Sequence, residues 1–277
     1  MSFLLSPFRS IISSASKIAG DFGKTIQDTP FDHPPLASTL ETAMIKENPA
    51  NFKPVIPRKD YLCALCCKES YKKPNLRTRI IDQHYQYIDD LSDDRIAVYV
   101  HNFLTGQVII AIRGTRLTDT RDIQADIDII FAQENNNVLI QEINFKVAQI
   151  ISVINSRYDI QEDTIWISGH SLGGLVSCYA SDNRLSECIT FNIGISPSQR
   201  SVPKVFENPR ITSYVMEGDI IAASSGFVIK KTIVLKPRPR PNNPLEAHSL
   251  DFLINSCQPQ FPIRIGVDDN SFDNFLK

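Results

Sequence analysis

Gly169-His170-Ser171-Leu172-Gly173 is a serine framed by glycines two residues before and two residues after it, inside the stretch WISGHSLGGL at 166–175. A serine hydroxyl attacks an ester when a sharp turn presents it clear of its own backbone, with a base beside it and N–H donors facing the oxyanion that forms. Gly169 and Gly173 let a strand-to-helix turn close without side-chain clashes. The apolar run TIWIS at 164–168 reads as a buried strand, and the small residues from Gly173 onward, Gly174 included, read as a helix. A helix that begins behind the serine aims backbone N–H groups at developing negative charge, the first of them from Leu172. A glycine-rich turn without chemistry has the same five-residue pattern; the strand before it and the helix after it favour a nucleophile.

A nucleophilic serine needs a base, and the chain has five histidines, at 33, 84, 101, 170 and 248. His170 adjoins the serine in the turn, so its side chain should project elsewhere. Where the triad follows the order serine, acid, histidine, only His248 qualifies as the base. The acid then lies between Ser171 and His248, among Asp182, Glu187, Glu207, Glu217, Asp219 and Glu246. Asp219 is preferred: it follows the strand-like run RITSYVM and the turn residue Gly218, at a strand's carboxyl end where sites of open α/β sheets collect. Glu217 is the runner-up. A second oxyanion donor should come from a loop after an earlier strand. IIAIRGT ends in Arg113-Gly114-Thr115, where Thr115 can offer both its N–H and its hydroxyl.

Taken together, these stretches resemble the class 3 lipases, an α/β-hydrolase family. The matching residues are IIAIRGT ending at Thr115, DIQADI at 122–127, ISGHSLGG around Ser171, TFNIGISP at 190–197, EGDII around Asp219 and AHS around His248, spread over about residues 60–257. The chain departs from the family at Ile123, where an aromatic residue is common, and at Ile220–Ala223, where a proline often follows the acid. The resemblance implies a serine ester hydrolase acting on tri-, di- or monoacylglycerol, with a lid over Leu117–Asn137 and neither metal nor organic cofactor. A phospholipase A or thioesterase with the same triad, or a noncatalytic lipid-binding relative, are the alternatives.

Strands and helices must alternate to hold such a site. RIAVYVH and QVIIAIR are β-rich runs around a turn containing Gly106; VLIQEINFKVAQIISVINSRY repeats Ile140, Ile143, Val147, Ile150 and Ile154 at helical spacing; ECITFNIG, RITSYVM and GFVIKKTIVL supply further strands. KDYLCALCCKESYKK reads as a helix, and LRTRIIDQHYQYIDD is ambiguous. That order predicts an α/β-hydrolase fold over 59–277, with a mostly parallel central sheet and helices on both faces.

Ahead of it, residues 28–58 lose all periodicity and carry prolines at 30, 34, 35, 49, 54 and 57, the composition of a linker or wrapping arm. Residues 1–27 place Leu4, Phe8, Ile11, Ala15, Ile18 and Phe22 on one face of an amphipathic helix. It can pack on the protein's own body or another subunit, lie on a membrane or lipid-droplet surface, or serve as an organelle presequence.

A net charge of −2 gives no basic excess for nucleic acid, and no apolar run is long enough to span a bilayer. The six cysteines lack the spread of a secreted disulfide framework and read as reduced thiols of an intracellular, cytoplasmic protein. A zinc site joining Cys63, Cys66 and Cys67 to Cys178, Cys188 or Cys257 would lack paired CxxC spacing, so core packing is the better reading.

Overall fold

The computed structural model describes residues 52–101, 106–115, 138–194, 204–219, 222, 229–261 and 263. In chain order these form β1 (Val55–Ile56), α1 (Arg58–Ser70), β2 (Ile80–Ile81), β3 (Tyr85–Tyr87), β4 (Ile96–His101) and β5 (Val108–Ile112). There follow α2 (Val138–Tyr158), β6 (Ile165–His170), α3 (Leu172–Ala180), β7 (Glu187–Phe191), β8 (Ile211–Met216), β9 (Thr232–Leu235), α4 (Pro244–His248), α5 (Leu250–Ser256) and β10 (Gln258–Pro259). Eight strands make one sheet in sequential order from β2 to β9. β2 through β5 pair antiparallel and β5 through β9 pair parallel.

Two turns explain the antiparallel edge. Gly106 lies at φ 58 before β5, and the ambiguous stretch 76–90 becomes a hairpin because Asp82 and Gln83 adopt φ 55 and 61. Two consecutive residues with positive φ match the twist of the flanking strands.

Every residue of β5 is buried, as expected of a strand covered on both faces. Its alternate residues serve two cores. Val108, Ile110 and Ile112 face α2 and α3 through Ile143, Val147, Ile150 and Leu175. Ile109 and Ala111 belong to the core of α1 and α5, with Leu62, Cys66 and Leu253. The sheet is therefore sandwiched between helices, and the helical repeat of α2 is its buried stripe. The cysteines divide the same way: Cys63, Cys66, Cys67 and Cys257 lie in one core, Cys178 and Cys188 in the other. All six are free and buried, and burial raises the Cys67 thiol to about 12. Among the described residues no group of side chains is arranged to hold a metal ion.

Described structure already precedes residue 59, where composition suggests the boundary: β1 and the first residue of α1 lie ahead of it. β1 pairs in parallel with β10, Val55 opposite Gln258 and Ile56 opposite Pro259. The prolines that disguise this strand take part through their carbonyls alone: Pro54 accepts from Gln258 N–H at 3.0 Å and Pro57 from Tyr61 N–H at 3.0 Å. The helix read over 1–27, the arm up to residue 51 and the segment 117–137 lie outside the described residues. No helix among the described residues is long and apolar enough to cross a membrane.

Candidate active site

Ser171 stands alone between the last residue of β6 and the first of α3, at φ 57 and ψ −128. A non-glycine residue pays for positive φ in strain, and such strain persists only where surrounding bonds over-determine the turn. They do so here. Ser171 N–H donates to the Phe191 carbonyl at 3.1 Å, while the Ser171 carbonyl accepts from Gly174 N–H at 2.9 Å and Gly194 N–H at 3.1 Å. A Cβ on Gly169 would land on the Gly173 carbonyl, and a Cβ on Gly173 would land on the backbone of Ile112 and Arg113. Gly173 is thus needed because the end of β5 crosses directly over the start of α3, a close approach beyond the demands of the turn itself.

His248 closes α4, and its Nε2 lies 2.8 Å from Ser171 Oγ while its Nδ1 lies 2.8 Å from Asp219 Oδ2. All three residues are buried. A carboxylate only accepts, so Nδ1 carries the proton and Nε2 presents its lone pair to the serine hydroxyl. Asp219 sits just past β8, after Gly218 at φ 91, and its second oxygen accepts from Ala222 N–H at 3.1 Å. α4 is capped by Asn243, whose side chain accepts from Glu246 N–H at 2.9 Å. Four of the five competing acids are engaged elsewhere: Glu217 with Arg238 and Arg240, Glu246 with Asn242, Glu187 with Lys59, and Asp182 with Asn183.

The side chains behind the triad form a directed chain of hydrogen bonds. His170 Nε2 lies 2.8 Å from the His248 carbonyl, which can only accept, so Nε2 is the protonated nitrogen. His170 Nδ1 therefore accepts, from Tyr71 O–H at 2.8 Å, and the Tyr71 oxygen in turn accepts from Gly114 N–H at 3.2 Å. Burial, with His248 adjacent, lowers His170 to about 3, so this ring stays neutral near neutral pH, and its one free lone pair is already taken by Tyr71. Asn192, at φ 45, donates to the carbonyls of Ala247 and His248 at 3.0 and 3.1 Å and accepts from Met216 N–H at 2.9 Å. It ties the strand carrying the acid to the segment carrying the base. Tyr71 and Asn192 were not singled out by sequence reasoning. An asparagine at a strand's carboxyl end is a weak signal for positive φ, and Tyr71, just past α1, carries none.

Leu172 opens α3 at the expected place for an oxyanion donor, and half-buried Thr115 follows Gly114 in the loop after β5. The parallel register sets Ile112 opposite Gly169, so that loop runs beside the serine turn. Tyr71 pins it there through Gly114. The arrangement offers a candidate nucleophile, a candidate base with a defined tautomer, a carboxylate placed to stabilise the charged imidazole, and two candidate oxyanion donors, Leu172 and Thr115. No family model matches the chain, and no curated protein matches it.

Proposed function

We propose that this protein is a serine-dependent carboxylic ester hydrolase of the class 3 lipase type, with an α/β-hydrolase fold, acting on acyl lipids. The observation that carries the reading is the buried Asp219–His248–Ser171 hydrogen-bonded chain on a strained turn at a helix start. His248 takes the Ser171 proton as Oγ attacks the ester carbonyl, and Asp219 stabilises the imidazolium that results. The N–H groups of Leu172 and Thr115 bind the oxyanion. The alcohol leaves with the proton from His248. Water, deprotonated by the same histidine, then releases the carboxylate from the acyl-enzyme. Each step uses groups of this chain and needs no cofactor.

The acyl-lipid assignment rests on the Arg113-Gly114-Thr115 element and on the order of the matching segments. With one glycerol ester titrated from dissolved monomer to emulsion, the rate is expected to jump at the phase boundary. A rate that simply saturates through that boundary would point to an esterase or thioesterase for soluble substrates.

Tyr71→Phe is expected to lower kcat on a soluble ester by about fivefold with little change in KM. Losing one hydrogen-bonded hydroxyl is worth on the order of 1 kcal/mol, and the loss falls on the loop that meets the transition state. An unchanged kcat would show that the Gly114 loop holds its position without the tyrosine.

A further inference from the structure

Residues 229–247 contain five basic residues and a single acid, Glu246, in a chain of 29 basic and 31 acidic residues. Lys230 and Lys231 precede β9, whereas Lys236, Arg238 and Arg240 follow it. Because β9 runs parallel to β8, the latter three sit at the edge of the sheet where Asp219 emerges. The strand's in–out alternation continues past its end: Leu235 is buried, Lys236 exposed and Pro237 buried. Prolines at 237, 239 and 241 restrict the backbone. Arg238 and Arg240 converge on one carboxylate, Glu217, at 3.3 and 3.2 Å.

Arg238 N–H also donates to the Phe52 carbonyl at 2.7 Å, which brings exposed Lys53 to the same place. Pro241 packs toward Gly218, where a Cβ would stand 3.7 Å from its ring, directly ahead of the acid of the triad. Leu245, 58% exposed, lies in the first turn of the short helix that ends in His248. Arg238 and Arg240 thus pair with Glu217 at the edge that carries the triad, Lys236 precedes them at the end of β9, Lys53 follows the residue that Arg238 binds, and exposed Leu245 lies on the helix that comes next in the chain. Against these four cations stand Glu217 and Glu246, the latter held by Asn242, so this set of six is net positive.

We propose that this rim, formed by Lys53, Lys236, Arg238, Arg240 and Leu245, docks the protein on anionic phospholipid headgroups, with the triad edge toward the bilayer. The proposal rests on the acyl-lipid reading of the site and deepens it: the substrate is taken from an anionic membrane surface. Basic residues near such a surface are attracted to its negative potential, and an apolar side chain among them gains by entering the interface. Each cation strengthens binding by about fivefold.

The test is sedimentation of the full chain carrying Ser171→Ala, which leaves vesicles intact, with phosphatidylcholine and with phosphatidylcholine–phosphatidylserine vesicles. Binding is expected to favour the mixed vesicles and to weaken with salt. Adding Lys53→Gln, Lys236→Gln and Arg240→Gln is expected to weaken it by about 10²-fold. Lys230→Gln with Lys231→Gln, at the opposite end of β9, should bind like the parent. If the triple variant melts early, Arg240→Gln alone serves, with about fivefold expected.

Equal binding to both vesicle types, a rim variant that binds like the parent, or equal losses from both ends of β9 would overturn the proposal. So would tighter, rim-dependent binding to RNA than to vesicles. Since binding is read without hydrolysis, failure of the docking surface and failure of the enzymatic reading are separate outcomes.

Discussion

Ser171→Ala is expected to lower kcat for ester hydrolysis by about 10⁶-fold and to abolish labelling by a fluorophosphonate probe. The size follows from the chemistry: without Oγ no acyl-enzyme forms, and His248 is left with water in a site built for an attached acyl group. The substitution should fold, because the turn is held by backbone bonds from Ser171 to Phe191, Gly174 and Gly194 that alanine retains. Its methyl group meets the same positive φ that serine already tolerates. His248→Ala should cost about as much, since nucleophile and base act as a unit and their losses do not add. Wild-type protein that resists the probe even with detergent or vesicles present would leave only a noncatalytic lipid-binding reading.

Asp219→Asn should lower kcat by about 10⁴-fold while sparing the fold, a loss that arises from a wrong tautomer. Asp219 Oδ1 accepts from Ala222 N–H, so an asparagine would keep its oxygen there and turn its NH₂ toward His248. The imidazole must then accept at Nδ1 and carry its proton on Nε2, where it faces the serine hydroxyl and cannot remove its proton. KM for a soluble ester should change little, and the thermal midpoint should stay near that of wild type. Retention of activity within tenfold would remove Asp219 from the role of orienting acid, and Glu217, engaged by two arginines, would be the next residue to test.

The triad was legible in the sequence because each member obeys a constraint that leaves few candidates. Ser171 is framed by glycines that the backbone requires, His248 is the sole histidine after it, and Asp219 marks a strand's carboxyl end. α2 was legible because one face of it is buried against the sheet, so its isoleucines repeat at helical spacing. The supporting shell was not, because its bonds join distant residues with no periodic signature: Tyr71 meets His170, and Asn192 meets Ala247. The β2–β3 hairpin stayed ambiguous because Asp82 and Gln83 make its turn without a glycine. β1 was read as part of an arm because prolines flank it, although a strand two residues long needs few N–H donors.

A ribosome releases a chain from its amino end, so β1 emerges before β10 and waits for it before it can pair. The hairpins of β2 to β5 close over short loops and can form while synthesis continues. Ser171 appears 77 residues before the histidine that activates it. In the proposed mechanism, a nascent or truncated product that stops between them carries the serine without its base and is nearly inert toward any membrane it meets. Hydrolytic competence then arrives only once α4 has been made, close to the moment when β10, the partner that β1 waits for, comes within reach.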